Sequence, residues 1–177
     1  TKDHFAIEGV FRKNVIINSN PARAEIYLDE DERPVGITGL NNSLFLTVGQ
    51  HSITLRKNGY LPRRFSIEVD ETTPPEVSQA LSRVVRVFAK DADSQDDSDI
   101  EATLVELRSR RQTTKFNEST PTDVTLLPIR YTAILRKKGY EDTYIQISPS
   151  SKTVVARMKK EKAKLSMVWR IAARRAW

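Results

Sequence analysis

The chain carries few side chains that could perform catalysis or bind a metal. It has no cysteine and two histidines, His4 and His51, so thiol chemistry, disulfides and cysteine-bound metals are excluded. No Gly-x-Ser-x-Gly sequence accompanies His51, and Gly36 and Gly39 lack the Gly-Lys-Ser/Thr ending of a phosphate-binding loop. These residues therefore predict a protein that is not an enzyme and holds no cofactor.

Five aspartates fall within residues 91–99, and carboxylates are ligands that calcium prefers. Asp91 and Asp93 match the first two ligand positions of an EF-hand loop. Asp96, however, stands where that loop has glycine, and Ala102 stands where it has glutamate. Two interpretations stay open, a calcium-binding loop or a solvated insertion between strands. The shorter acidic run at 29–32 indicates a hairpin tip.

The net charge of +6 is concentrated at the C-terminal end. Residues 157–177 hold eight lysines and arginines against one glutamate, whereas residues 1–82 hold nine basic against eleven acidic residues. A nucleic-acid-binding protein would spread its basic residues over a folded face, among stacking aromatics. We therefore expect no nucleic-acid partner.

Residues 159–177 are predicted to form a basic amphipathic helix, because they contain many helix formers and neither glycine nor proline. Three roles are open for this helix. It packs on the preceding domain, binds a groove of a partner protein, or lies on an anionic membrane. Tryptophan and arginine dominate binding hot spots. The predicted partner-binding residues are therefore Trp169, Arg170, Arg174, Arg175 and Trp177.

One ten-residue segment occurs twice in the chain. Residues 51–60 recur 80 residues later as residues 131–140, with Leu, Arg, Lys, Gly and Tyr at the same positions. Flanking apolar residues also match, since Leu46 corresponds to Leu126 and Phe65 to Ile145. The repeat predicts two copies of one small domain.

Each copy shows the alternation of apolar and polar residues that is typical of β-strands. Phe65, Ile67 and Val69, for example, alternate with polar residues, which gives that strand one apolar face for a core. The predicted strands are 15–17, 24–28, 44–46, 52–56, 64–69 and 76–81 in the first copy, and 84–88, 102–107, 124–126, 131–135, 144–147 and 153–158 in the second.

Short strands separated by turn residues, without long helical patterns, are typical of β-sandwiches. The sequence therefore predicts an all-β fold of two tandem small β-sandwiches followed by the C-terminal amphipathic helix. The predicted division is a lead-in at 1–13, a first sandwich at 14–82, a second at 83–158 and the helix at 159–177.

The motifs of the first copy resemble the PEGA domain, a small bacterial and archaeal β-sandwich that often occurs in tandem. Ser19, Pro21 and Ala24 match its opening Ser-x-Pro-x-Gly-Ala motif, although Arg23 replaces the glycine. The other matching segments are 36–39, with Gly39 in place of proline, 48–51 and the Lys-x-Gly-Tyr segment 57–60, and in the second copy 120–121, 127–128 and 137–140. The opening motif is missing from the second copy, where the acidic residues 91–99 stand in its place.

The resemblance implies a module without catalytic residues of its own. Gly59 and Gly139 are expected to take a positive φ, and the tyrosine after each to pack its ring against the sandwich with its hydroxyl paired to backbone. The implied function is structural, in a bacterial cell-envelope protein that is periplasmic or surface-exposed. The expected partner is another protein, and an anionic membrane surface is a second candidate. The alternative is a ligand-binding or sensor ectodomain with a site between the two sandwiches.

Overall fold

The computed structural model describes residues 11–40 and 42–162, and within these ranges the chain forms fourteen β-strands and no helix. The first seven strands are β1 (Arg12–Asn20), β2 (Glu25–Leu28), β3 (Gly36–Ile37), β4 (Ser43–Thr47), β5 (Gly49–Arg56), β6 (Arg63–Val69) and β7 (Glu76–Ala80). The other seven are β8 (Arg83–Asp91), β9 (Thr103–Arg108), β10 (Thr113–Ser119), β11 (Thr122–Leu126), β12 (Tyr131–Arg136), β13 (Thr143–Ile147) and β14 (Thr153–Met158). The all-β fold class is confirmed for the described residues.

The first seven strands form two sheets. One has the order β4-β1-β7, in which β1 runs antiparallel to β4 and parallel to β7. The other has the order β3-β2-β5-β6, with antiparallel neighbours throughout. The register pairs Ile26 with Leu55 and Ile53 with Phe65. Apolar side chains that alternate along each strand therefore lie side by side on one face.

One hydrophobic core joins these two sheets into a sandwich. Its largest side chains are fully buried, and each contributes about 1.5–3 kcal/mol relative to an exposed position. Val15 and Ile17 of β1 belong to the same cluster as Ile53 and Leu55 of β5, so the core draws on both sheets. The ring of Tyr60 and the side chain of Phe65 pack against its edge.

The second seven strands repeat the strand order of the first. Their sheets have the orders β11-β8-β14 and β10-β9-β12-β13, which are the first two orders with seven added to each number. As β1 does with β7, β8 pairs in parallel with β14. The alternating side chains of β8 are buried, among them Val85, Val87 and Ala89. The internal repeat in the sequence thus corresponds to a repeat of topology.

The described chain divides into two compact units. One runs to Val85 and includes segments 123–130 and 148–152, and the other comprises 86–122, 131–147 and the residues from Thr153 onward. The domain boundaries at 82 and 158 that the sequence suggests stay predictions. Within the described residues, no helix has the length and apolar character needed to cross a membrane.

Candidate functional site

The Lys-x-Gly-Tyr segment forms the same turn in both copies. Gly59 and Gly139 each have a φ of 81°, which confirms the predicted left-handed conformation. Any residue with a Cβ would be strained there by about 1–2 kcal/mol. The amide of each tyrosine donates to the carbonyl oxygen of the lysine three residues earlier, at 3.0 Å in both turns. The left-handed backbone therefore favours glycine at this position of the motif.

The lysine of each motif fastens the turn to the start of a distant strand. Lys57 Nζ donates to the carbonyl oxygen of Arg23 at 3.2 Å, and Lys137 Nζ donates to that of Glu101 at 2.7 Å. Each carbonyl lies just before the second strand of its set. These two lysines thus have the same structural role in both copies.

A buried threonine supports each of these strand starts. Thr38 is fully buried and its Oγ1 accepts a hydrogen bond from the amide of Ala24 at 2.9 Å. Thr120 is 5% exposed and accepts from the amide of Ala102 at 3.1 Å. Ala102 is therefore the counterpart of Ala24. The contact of Thr38 with Ala24 thus recurs in the second copy, although the serine, proline and glycine of the opening motif are absent there, as the sequence indicates.

The motif tyrosines differ between the copies in what their rings and hydroxyls contact. Tyr140 donates its hydroxyl to Asp91 Oδ2 at 2.9 Å, so the prediction of a backbone partner is wrong for this residue. The same oxygen lies 3.0 Å from Lys160 Nζ. In the first copy the Arg83 guanidinium lies 5.8 Å from the centroid of the Tyr60 ring. Within the described part of the chain, Arg83 Nη2 is buried without a hydrogen-bond partner.

Asp91 is the most heavily engaged carboxylate of the acidic insertion. It is 7% exposed, and its Oδ1 accepts from the amide of Asp93 at 2.9 Å. This backbone hydrogen bond and the contact with Lys160 lower the pKa of Asp91, and the hydrogen bond to Asp91 raises the pKa of Tyr140. A buried carboxylate of this kind stays ionised at neutral pH because its donors compensate for lost hydration.

The rest of the insertion is also fastened by cations. Lys90 Nζ lies 2.7 Å from Asp97 Oδ2 and 3.9 Å from Asp99 Oδ1, while Arg157 Nη2 lies 3.7 Å from Asp97 Oδ1. Lys90 and Asp99 also form an antiparallel bridge. No group of three or more potential metal-ligating side chains occurs in the part of the chain that the structure describes. These carboxylates neutralise neighbouring cations in the structure.

The start of the basic C-terminal segment is held by the second Lys-x-Gly-Tyr turn. Tyr140 and Lys160 form an antiparallel bridge, the amide of Glu141 donates to the carbonyl of Lys159, and the amide of Glu161 donates to that of Gly139. Residues 159–162, assigned to a helix from the sequence, are therefore not helical. The remainder of the predicted helix lies outside the described residues, as do its predicted binding residues, Trp169, Arg170, Arg174, Arg175 and Trp177.

His51 lies at the tip of the first copy beside the acidic run at 29–32. Its Nδ1 is 2.6 Å from Asp29 Oδ2, and its Nε2 is 2.9 Å from the carbonyl oxygen of Thr47. Burial would lower the pKa of His51, but the hydrogen bonds with Asp29 and Thr47 outweigh burial and raise it. A protonated ring donates to both oxygens, whereas a neutral ring donates to only one. The predicted hairpin tip is confirmed by the hydrogen bond from the amide of Asp31 to the carbonyl of Leu28.

The His51–Asp29 pair predicts that stability falls as the pH rises above neutrality. A group with a raised pKa in the folded state stabilises the fold below its unfolded value of 6.5, and this contribution is lost as pH rises through the folded pKa. We expect the melting temperature to drop by a few degrees from about pH 6 to about pH 8. In the His51→Gln variant the melting temperature should depend less on pH over this range. An unchanged pH dependence of the melting temperature in that variant would show that the His51–Asp29 pair does not cause it.

Glu106 on β9 is a buried charge that the sequence analysis did not find. It is 5% exposed and lies between Arg108 on its own strand and Lys115 on β10. The hydrogen bonds from Arg108 and Lys115 lower the pKa of Glu106 to about 2. Its side chain is therefore ionised and fully engaged, which leaves no free base for catalysis at this position.

The first copy also contains an open cavity of about 420 Å³ beside its Lys-x-Gly-Tyr turn. Its cationic lining consists of Arg23, Arg56 and Lys57, with Glu25 as the one carboxylate of the lining. Glu25 accepts a hydrogen bond from the Tyr27 hydroxyl at 2.9 Å, and the Arg56 guanidinium stacks 4.4 Å above the Tyr27 ring. The remaining wall is formed by Asn58, Tyr60 and Pro62.

Arg23 occupies a backbone conformation that suits glycine. Its φ is 64°, which explains why the PEGA pattern has glycine at this position. We expect Arg23→Gly to raise the free energy of unfolding by roughly 0.5–1 kcal/mol, since relief of about 1–2 kcal/mol of strain exceeds the entropy cost of glycine. Glu101→Gly is the matched control, because Glu101 holds the same place in the second copy without a positive φ. Urea denaturation should show a gain for the first variant and a loss for the second.

The first copy of the repeat matches a known protein family. The described residues form an all-β architecture of four sheets, in which one sheet order and the Lys-x-Gly-Tyr turn each occur twice. Residues 12–84 match the PEGA domain family, and this match spans strands β1 to β7. The resemblance noted from the motifs of the first copy is thereby confirmed. No curated protein matches the chain.

Several solved structures are similar at low identity. The Bacillus anthracis TIE protein has a TM-score of 0.38 and 12% identity, with 86% of this chain and 34% of that chain covered. A mutant of the shaft pilin SpaA from Lactobacillus rhamnosus GG has a TM-score of 0.33 and 9% identity, over 85% of this chain and 98% of the pilin. The streptococcal ancillary pilin has a TM-score of 0.33 and 9% identity, over 88% of this chain and 64% of that pilin. This chain thus spans about a third of the length of the TIE protein.

Proposed function

We propose that the chain is a non-catalytic module of a bacterial cell-envelope or surface protein, which binds an acidic partner protein through its basic C-terminal segment, residues 159–177. The sandwiches act as a rigid support for this segment, and their loops supply additional contacts. The observation that carries the proposal is the fixed origin of the segment, whose residues 159–161 are bonded to the turn at 139–141.

The non-catalytic part of this proposal is supported by the hydrogen bonds and ion pairs that the polar side chains form within the protein. The motif lysines, threonines and glycines hold turns and strand starts together. The titrating groups with shifted pKa, such as His51 and Glu106, each face a specific partner within the same sandwich. A catalytic base needs a pKa tuned for proton transfer and access to substrate. Glu106, with a pKa of about 2, meets neither condition.

The chemistry of the partner is inferred from charge. Eight basic residues against one acidic residue in 157–177 give this end of the chain a strong positive potential. Lys160 is neutralised by Asp91 at its anchored end, whereas most of the charge lies beyond it. Positive segments of this kind accelerate association with acidic surfaces and fix their orientation. Tryptophan and arginine then supply the desolvated contacts of the complex.

Removal of residues 163–177 tests this proposal without disturbing the anchor. The deletion retains Lys160 and its contact with Asp91. Because the proposal assigns the removed residues to a partner and not to the folded body, the melting temperature should be unchanged within about a degree. Capture of a protein from bacterial envelope extract by the immobilised chain should disappear. The matched control replaces Arg170, Arg174 and Arg175 with glutamine, and it should weaken capture and reduce its salt dependence.

Other results would overturn the proposal. Undiminished capture by the deletion variant would assign binding to the sandwiches. A large drop in melting temperature would show that the segment is part of the folded body. Binding to vesicles that contain anionic lipid, with no protein captured, would replace the protein partner with a membrane surface.

A further inference from the structure

We propose that the cavity of the first copy, lined by Arg23 and Arg56, binds the carboxylate side chains of an acidic peptide segment. The lining of this site includes no residue of the basic C-terminal segment, and the proposal does not depend on the proposed function. All of its residues belong to the unit that runs to Val85.

The charges of the cavity lining are not balanced internally. Lys57 donates to the carbonyl oxygen of Arg23, and the carboxylate of Glu25 accepts from Tyr27. Arg23 and Arg56, by contrast, have no ion pair with any carboxylate of the described residues. Three cations and one carboxylate leave the cavity with a formal charge of +2. An anion that enters it therefore meets two guanidinium groups that no carboxylate of the described residues neutralises through an ion pair.

The second copy shows what the first one lacks. There Arg136, the counterpart of Arg56, donates its Nε to Asp142 Oδ2 at 2.9 Å. The residue at the corresponding position of the first copy is Pro62, which carries no charge and forms part of the cavity wall. The same arginine is thus satisfied within the protein in one copy and open to a ligand in the other. An external carboxylate would take the place that Asp142 fills.

The aromatic rings at the cavity indicate a peptide in preference to a saccharide. Saccharides bind by stacking on open aromatic faces, but the face of Tyr27 is covered by Arg56 at 4.4 Å. Tyr60 packs against the core and has Arg83 over its ring at 5.8 Å. Guanidinium groups held on aromatic rings are pre-oriented, and their forked donors fit carboxylates in bidentate pairs. The recognised feature is therefore a pair of aspartate or glutamate side chains.

A titration of the full chain with a short polyglutamate peptide, followed by backbone amide NMR shifts, tests this site. Saturable shifts are expected at Arg23, Gly59 and Tyr60. Because the C-terminal segment is also basic, shifts among residues 163–177 are read separately. The double variant Arg23→Gln/Arg56→Gln should weaken binding at the cavity by at least about tenfold, as expected for the loss of two charge-assisted contacts. Arg136→Gln, the control in the second copy, should leave it unchanged.

A second variant keeps all the cations of the cavity and adds a carboxylate of the chain itself to pair with them. Pro62→Asp places a carboxylate where the second copy has Asp142, so it should abolish the shifts at Gly59 and Tyr60. The proposal is overturned if the peptide shifts only residues 163–177, if Pro62→Asp binds as tightly as the natural chain, or if an acidic oligosaccharide produces the cavity shifts and the peptide does not.

Discussion

Replacement of Thr38 with valine is expected to lower the free energy of unfolding by about 1–3 kcal/mol, the cost of leaving a buried donor unsatisfied. Valine preserves the shape of the side chain but cannot accept the hydrogen bond from the amide of Ala24. It also removes one of the two hydrogen-bond partners of the Ser19 hydroxyl, which lies 2.6 Å from Thr38 Oγ1 and donates to the carbonyl oxygen of Pro21 at 2.7 Å. Thr38 is fully buried, so water cannot replace either contact without opening the turn.

Equilibrium denaturation in urea measures this loss, and two variants serve as controls. Thr120→Val removes the equivalent acceptor for Ala102 and should produce a loss of the same order. Thr38→Ser keeps the hydroxyl and should recover most of the stability. A Thr38→Val variant as stable as the natural chain would contradict the structural role assigned to the repeated motif.

Replacement of Asp91 with asparagine is expected to lower the melting temperature by several degrees and to release the start of the C-terminal segment. The change removes the charge that faces Lys160 and weakens the acceptor for the Tyr140 hydroxyl and the Asp93 amide. Lys160 then loses its carboxylate next to the turn at 139–141. Hydrogen exchange at the amides of Glu141 and Glu161 should become faster, because both bonds join that turn to residues 159–161.

Asp97→Asn provides the contrast for this prediction. Asp97 also pairs with a lysine, but its side chain is 73% exposed, so the pair contributes little. Tyr140→Phe removes a single hydroxyl and should give an intermediate effect. Because the pKa of Asp91 is lowered, its stabilising effect should be present above the unfolded value of 3.8 and be lost as pH falls below it. Equal effects of Asp91→Asn and Asp97→Asn would contradict the account of this cluster.

The fold could be predicted from the sequence wherever a strand buries one face. The apolar–polar alternation of β6 predicts a strand, because burial of one face imposes a period of two. The repeated Lys-x-Gly-Tyr segment predicts the two copies. Strand β10 was missed because nearly all of its side chains are exposed, so edge pairing with β9 leaves no apolar pattern. Strand β3 was missed because it has only two residues.

The site features were harder to predict because they depend on residues that are distant along the chain. Asp91 and Tyr140 are 49 residues apart, and no local pattern shows that the aspartate approaches the tyrosine hydroxyl. The link between Ala102 and Ala24 was hidden by the insertion that precedes Ala102. Arg23 carried a signal that could be read, since an arginine in the place of a motif glycine indicates a strained turn.

The proposal that the C-terminal segment is available for a partner is tested most directly by tryptophan fluorescence. Trp169 and Trp177 are the only tryptophans of the chain, so the emission of the chain reports on this segment alone once the emission of any added protein is subtracted. Acrylamide quenching should be strong in the chain alone and should fall, with a blue shift of the emission, when the protein captured from envelope extract is added. Emission that is already blue-shifted and protected from acrylamide in the chain alone, and unchanged by the captured protein, would contradict the account.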